Sequence, residues 1–116
     1  MKIEPVIPHT EQMSRLGKTL WSVPRLIELS KNLTVMEIPI DHLNVCNRYE
    51  NLRLRDMVSH MKAVQNADLS YPIILDEDGE IMDGRHRIMK AILGGEKTIK
   101  AVRFDTNPSA CKTVDD

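Results

Sequence analysis

Aromatic side chains are scarce: the 116-residue chain holds only four, Trp21, Tyr49, Tyr71 and Phe104. Its core must therefore be filled by aliphatic residues and by some of its seven methionines, whose flexible side chains adapt to irregular gaps. Cysteine is scarcer still. Cys46 and Cys111 are far apart and neither sits in a Cys-x-x-Cys or mixed Cys/His pattern, which argues against a zinc centre or dithiol couple and for free thiols in a reducing compartment. Long apolar runs are missing as well. None approaches the roughly 18 residues of a membrane span, and the opening "MKIEPVIPHTEQ" lacks the apolar stretch and cleavage site of a secretory signal. We expect a cytoplasmic protein with no membrane partner. Nor does one sign of charge dominate. Sixteen Lys and Arg against 17 Asp and Glu leave a net charge of −1, which disfavours wholesale nucleic-acid binding, since that is driven by neutralising phosphates and releasing counterions. A local basic patch stays open.

What is present fits one domain. A chain of this length can bury roughly two thirds of its unfolded surface and needs neither metal nor disulfide to hold a core. The stretch "HTEQMSRLGKTLWSVPRLIELSKNL" reads as two short helices. Thr10 caps the first, with Met13, Leu16 and Leu20 on one face, and Ser22 caps the second, with Pro24 in its first turn. "TVMEIPIDHL" alternates as a strand that Pro39 places at an edge or an end. "LRLRDMVSHMKAVQNA" is the clearest helix, because Leu54, Met57, Val58, Met61 and Val64 form a single apolar stripe. "YPIIL", the turn "DEDGE" with Gly79 left-handed, and the returning "IM" form a hairpin. Asp83 or Gly84 then caps a helix that buries Ile88, Ala91 and Ile92 and stops at Gly94 or Gly95. "KTIKAVRF" is the last strand and "DTNPSACKTVDD" a polar, frayed tail. The predicted fold class is α+β, a small mixed β-sheet with packed helices. It divides into a helical segment over 1–34, a core over 35–104 and a tail over 105–116.

Chemistry concentrates in "DGRHR", residues 83–87. A helix beginning there leaves backbone N–H groups unpaired and carries partial positive charge, which attracts phosphates and carboxylates. Gly84 lets an oxyanion approach the backbone, Arg85 and Arg87 supply charge-assisted contacts, and His86 can donate to the same oxyanion or transfer a proton. The competing reading is a basic helix surface with no ligand. Cations at the positive end of a helix work against its dipole by about 0.3 to 1 kcal/mol, and that placement is itself a reason to look for an anion. Local chemistry leaves both readings open.

In its wider setting the motif resembles the ParB/sulfiredoxin superfamily, over roughly Val35 to Phe104: strand "EIPIDHL", helix "LRDMVSHMKAV", then "YPIILDEDGEIMDGRHRIMKAILGGEKTIKAVRF". The resemblance implies a ParB/sulfiredoxin-like single domain whose glycine-basic turn cradles phosphates. Sulfiredoxins carry a catalytic cysteine in Gly-Cys-His-Arg; Arg85 stands at that place, which removes their chemistry. Partition proteins carry Gly-Glu-Arg-Arg and continue into a Glu-Asn-x-x-Arg segment and a helix-turn-helix domain, neither of which the residues after Phe104 contain. The free serine kinase branch, with an Asp-Gly-His-His-Arg type motif, differs from "DGRHR" by one residue. On this resemblance the binding residues are Gly84, Arg85, His86 and Arg87, with Arg48 beside the nucleotide. Asp83 and His86 are the candidate catalytic groups, Asp83 as a hydrogen-bonding or metal partner. The implied partner is a nucleotide or phosphorylated small molecule, with ATP, ADP or CTP and Mg as candidate cofactors, for phosphotransfer or phosphate hydrolysis. Two alternatives stand beside it: a DNA-binding or nuclease-related module with a basic face of Arg85, Arg87, Lys90, Lys97, Lys100 and Arg103, and a regulatory or interaction domain without turnover.

Overall fold

Ile73, Ile74 and Leu75 are all buried. Successive strand residues point to opposite faces, so three in a row can be buried only if both faces of the sheet are covered there. The structure, a computed structural model, describes residues 13–16, 19–45, 52–109 and 112–113. Thr10, Arg48 and both cysteines lie outside the described residues. In chain order the elements are β1 (Met13–Leu16), β2 (Thr19–Ser22), α1 (Val23–Ser30), β3 (Met36–Pro39), a 3-10 turn (Ile40–His42), α2 (Leu54–Asn66), β4 (Ile73–Leu75), β5 (Ile81–Asp83), α3 (Arg85–Leu93), β6 (Thr98–Arg103) and β7 (Lys112–Thr113). None of the described helices is long and apolar enough to cross a membrane.

The main sheet has the order β3-β6-β4-β5. β6 runs antiparallel to β3 and parallel to β4, while β4 and β5 form the antiparallel hairpin. This is a mixed sheet in an α+β domain, as the sequence predicts. Alternation sorts its side chains into two cores. Ile73, Leu75, Ile81, Ile99 and Ala101 pack with Ile88 and Ala91 of α3 on one face. Ile74, Met82, Val102 and Phe104 pack with Trp21 and Leu26 on the other. The hairpin turn is organised by Asp76, whose buried carboxylate accepts from the Asp78 and Glu80 N–H groups at 2.9 and 2.8 Å, and Gly79 takes the left-handed conformation the turn requires, at φ +83°.

Four expectations need correction. The two-helix reading of the N-terminal segment fails over Met13–Leu16 and Thr19–Ser22, which pair as antiparallel strands with Met13 opposite Ser22 and Leu16 opposite Thr19. The i, i+3 spacing of the apolar residues fits a helix, but Thr19 and Trp21 favour strands and Gly17 costs a helix about 1 kcal/mol. The second helix is as expected, with Ser22 accepting from the Arg25 N–H and Pro24 in the first turn. The tail is not frayed where it is described: β7 pairs with β2, the Trp21 indole N–H donates to the Pro108 carbonyl at 2.9 Å, and the Arg25 guanidinium donates to the Ser109 carbonyl and hydroxyl.

The third correction concerns α2. Its period was legible but the buried side is rotated, so that the two stripes share only Val64. Leu54 is 82% exposed and Met61 59%, and of the predicted stripe only Val64 is buried. The packed side carries His60, Ala63 and Val64, and His60 meets His86 of α3. At the N-terminus of α2 the Asp56 carboxylate accepts from the Arg53 N–H and guanidinium, which holds its pKa below the usual range. In α3, lastly, Ile88 and Ala91 are buried but Ile92 is half exposed, so it marks the rim of the buried stripe. Gly94 caps the helix and Gly95 follows at φ +75°, the stop the sequence predicts.

Candidate functional site: a cleft at the start of α3

One residue, Gly84, separates the end of β5 from the first turn of α3. It is the N-cap, at φ +114°, and a Cβ there would lie 2.4 Å from the Ile73 Cγ2. Only glycine allows both the left-handed backbone and this approach to β4. The requirement is architectural before any ligand is considered.

The rest of the motif divides into three roles. Arg87 folds back over the turn, donating from Nη2 to the Asp83 Oδ2 at 2.6 Å and from Nη1 to the Pro72 carbonyl at 2.7 Å. Both side chains of this ion pair are more than four-fifths buried. Asp83 therefore serves as a hydrogen-bonding partner of Arg87, and the pair fastens the start of α3 to the approach to β4. Arg85 is different: among the described residues it forms no hydrogen bond or ion pair, although it is partly buried. His86 meets α2, its Nε2 lying 2.9 Å from the His60 Nδ1. Burial, and then the neighbouring His60 and Arg85, push the His86 imidazole below its ordinary pKa, with Asp83 opposing them.

These residues border a cleft of about 1200 Å³. Its apolar lining comes from Val23 and Ile27 of α1, Leu33, Val35, Met82 and Val102; its polar lining is His60, His86, Arg85 and the Asp83–Arg87 pair. Lys31 and Asp68 also border it. Ser70 donates to Asp68 from its N–H at 2.9 Å and its hydroxyl at 2.7 Å, holding that carboxyl below the usual range. The structure thus brings Asp83, Gly84, Arg85, His86 and Arg87 to one cleft, while Arg48 lies outside the described residues. Among the described residues no group of three or more His, Cys, Asp or Glu is placed to hold a metal ion.

His60 was not singled out from sequence. The signal was present, because His60, Ala63, Val64 and Ala67 follow i, i+3, i+4, i+7 and form a second stripe on α2. The larger apolar stripe beside it masked it. No protein-family model matches the chain, and no curated protein or solved structure matches it either.

Proposed function

We propose that the cleft binds a nucleotide or another phosphate-bearing small molecule, with phosphate at the start of α3 and the less polar moiety against Ile27, Leu33, Met82 and Val102, in a ParB/sulfiredoxin-like domain. The observation that carries this reading is Arg85. A partly buried guanidinium without a counter-charge among the described residues, at the positive end of a helix, is unfavourable until an anion completes the site. Its neighbour Arg87 is already paired, so binding falls to Arg85 and the backbone N–H groups, and Arg87 holds the turn that presents them. The order strand, helix, hairpin, motif, helix, strand supports the superfamily resemblance.

A reaction is a further step. With Asp83 tied to Arg87, His86 is the motif residue left to move a proton in phosphotransfer or phosphate hydrolysis. The nucleic-acid reading has less support. Of its six basic residues, Arg87 is paired with Asp83, Lys90 donates to the Gln65 and Ala67 carbonyls, and Arg103 donates to the Glu77 carbonyl.

The test is a thermal-shift screen of nucleotides and phosphorylated metabolites, with and without Mg²⁺. A ligand that binds only the folded state raises the melting temperature, and Arg85→Ala removes that rise. If no compound raises it, or if Arg85→Ala leaves the rise intact, the reading is wrong.

A further inference from the structure

β3 is an edge of the main sheet, and among the described residues only β6 pairs with it. The opposite edge, β5, has β1 packed beside it. In an antiparallel ladder alternate residues turn both backbone groups toward the neighbouring strand, and the residues between them turn theirs away. The Ile40 N–H donates to the Lys97 carbonyl at 2.9 Å, and Met36 and Ile38 stand opposite Ala101 and Ile99. Met36, Ile38 and Ile40 therefore face β6. Glu37, Pro39 and, just before the strand, Val35 present their backbone to the open edge.

Pro39 has no N–H, and at an outward position it costs the sheet no bond. The edge thus offers donors at Val35 and Glu37 and carbonyls at all three residues. Its side chains are equally uncovered: Val35 is 52% exposed and Met36 41%.

Proline and charge on an edge strand are guards against pairing with another strand. Here they act as a register filter. When a second β3 is laid antiparallel about a twofold axis, outward residues must meet outward residues. An axis at Glu37 sets two carboxylates face to face and asks Pro39 for a proton it does not have. An axis at Ile38 asks the same of Pro39. An axis at Val35 needs the Leu33 N–H, which already donates to the Ser30 carbonyl at 3.0 Å. An axis at Met36 meets none of these obstacles. It pairs Val35 with the partner subunit's Glu37 and Glu37 with the partner subunit's Val35, making four backbone hydrogen bonds. Each Glu37 then lies between an apolar neighbour across the axis and Lys100, which stands opposite it on β6, so its charge is balanced within its own sheet.

We propose that β3 pairs in this register with β3 of a second copy of the chain, joining two four-stranded sheets into one of eight. The pairing does not depend on what the cleft binds, but it reaches the cleft. Val35 lines it, so the partner subunit's Glu37 stands at its rim. Two short strands make a contact at the low end of specific interfaces, below about 1,200 Å², and the dimer is accordingly concentration-dependent.

Sedimentation equilibrium of the full chain over a range of concentrations, with amide hydrogen exchange followed in parallel, tests the pairing. Dimer should accumulate with concentration, and the Val35 and Glu37 amides should exchange more slowly as it does. Glu37→Pro removes an outward N–H from each copy and leaves the ladder to β6 whole, as Pro39 does; it should weaken association by at least about tenfold. Val35→Lys, at an exposed position, puts an ammonium opposite the partner subunit's Glu37 and should strengthen association severalfold. A chain that stays monomeric at its highest soluble concentration overturns the proposal. So does a dimer that Glu37→Pro leaves intact, or one that Val35→Lys weakens.

Discussion

The Asp83 carboxylate and the Arg87 guanidinium stand 2.6 Å apart, four positions apart in the chain, each mostly buried where β5 turns into α3. Together with the Arg87 contact to the Pro72 carbonyl, this makes the motif partly a fastening. The proposed ligand site is built on that fastening, and the two roles separate by residue.

Arg87→Ala should destabilise the fold by about 2 to 4 kcal/mol, because it leaves a mostly buried carboxylate and a carbonyl without their partner. Arg87→Lys should recover part of that loss. Urea denaturation at constant m-value measures both. A loss below about 1 kcal/mol would reduce the pair to an ordinary surface ion pair.

Gly84→Ala and Gly79→Ala place the same methyl at two left-handed positions. At Gly79 nothing lies within 4 Å of the added Cβ, and the change should cost about 1 to 2 kcal/mol from backbone strain alone. At Gly84 the Cβ meets Ile73, so the loss should be larger by about 1 to 3 kcal/mol. Equal losses in chemical denaturation would show that β4 can move aside.

Arg85→Ala should change stability by no more than about 0.5 kcal/mol, since no described partner is lost. It should nonetheless abolish stabilisation by any nucleotide or phosphorylated compound that wild type binds. Paired melting curves with and without ligand separate the two effects.

Substitutions on α2 should follow the observed phase. Met61→Gln, on the exposed side, should fall within about 0.5 kcal/mol of wild type. Val64→Ala, on the buried side, should cost about 1 to 3 kcal/mol. The reverse order in urea denaturation would put the apolar stripe inward after all.

The stability of the unliganded protein should depend on pH through His86. Burial, with His60 and Arg85, lowers its pKa in the folded state, so the unfolded chain takes up a proton at higher pH than the folded protein does. The stability linked to His86 is therefore fully present above its ordinary value of 6.5 and declines as pH falls through 6.5 toward the folded value. Melting temperatures measured across this interval should fall, and His86→Gln should flatten the decline. A wild-type melting temperature that rises on acidification would contradict this sign.

The sheet from β3 to β6 was legible because each of its signals is local: alternation in β3 and β6, a glycine turn between β4 and β5, glycines closing α3. Where sequence reasoning failed, the deciding contact was distant. Met13–Leu16 and Thr19–Ser22 pair as strands with help from Lys112–Thr113, across a separation no window of sequence spans. In α2, hydrophobicity marked the correct period, but the inward side carries His60, Ala63 and Val64, with His60 meeting His86 of α3, a contact made 26 positions away in the chain. At the site, Asp83 and Arg87 have the familiar i, i+4 spacing. Asp83 lies in a strand, however, so a helix rule could not have predicted their contact.

Trp21 is the chain's single tryptophan. It is buried in the cluster that contains Met82 and Val102, both of which line the cleft, and its indole N–H is bonded to Pro108 near the other end of the chain. All tryptophan emission from this protein therefore has one origin, a ring that shares a hydrophobic cluster with two residues of the cleft lining and is hydrogen-bonded to Pro108. Occupancy of the cleft and release of Pro108 can be read optically without a label.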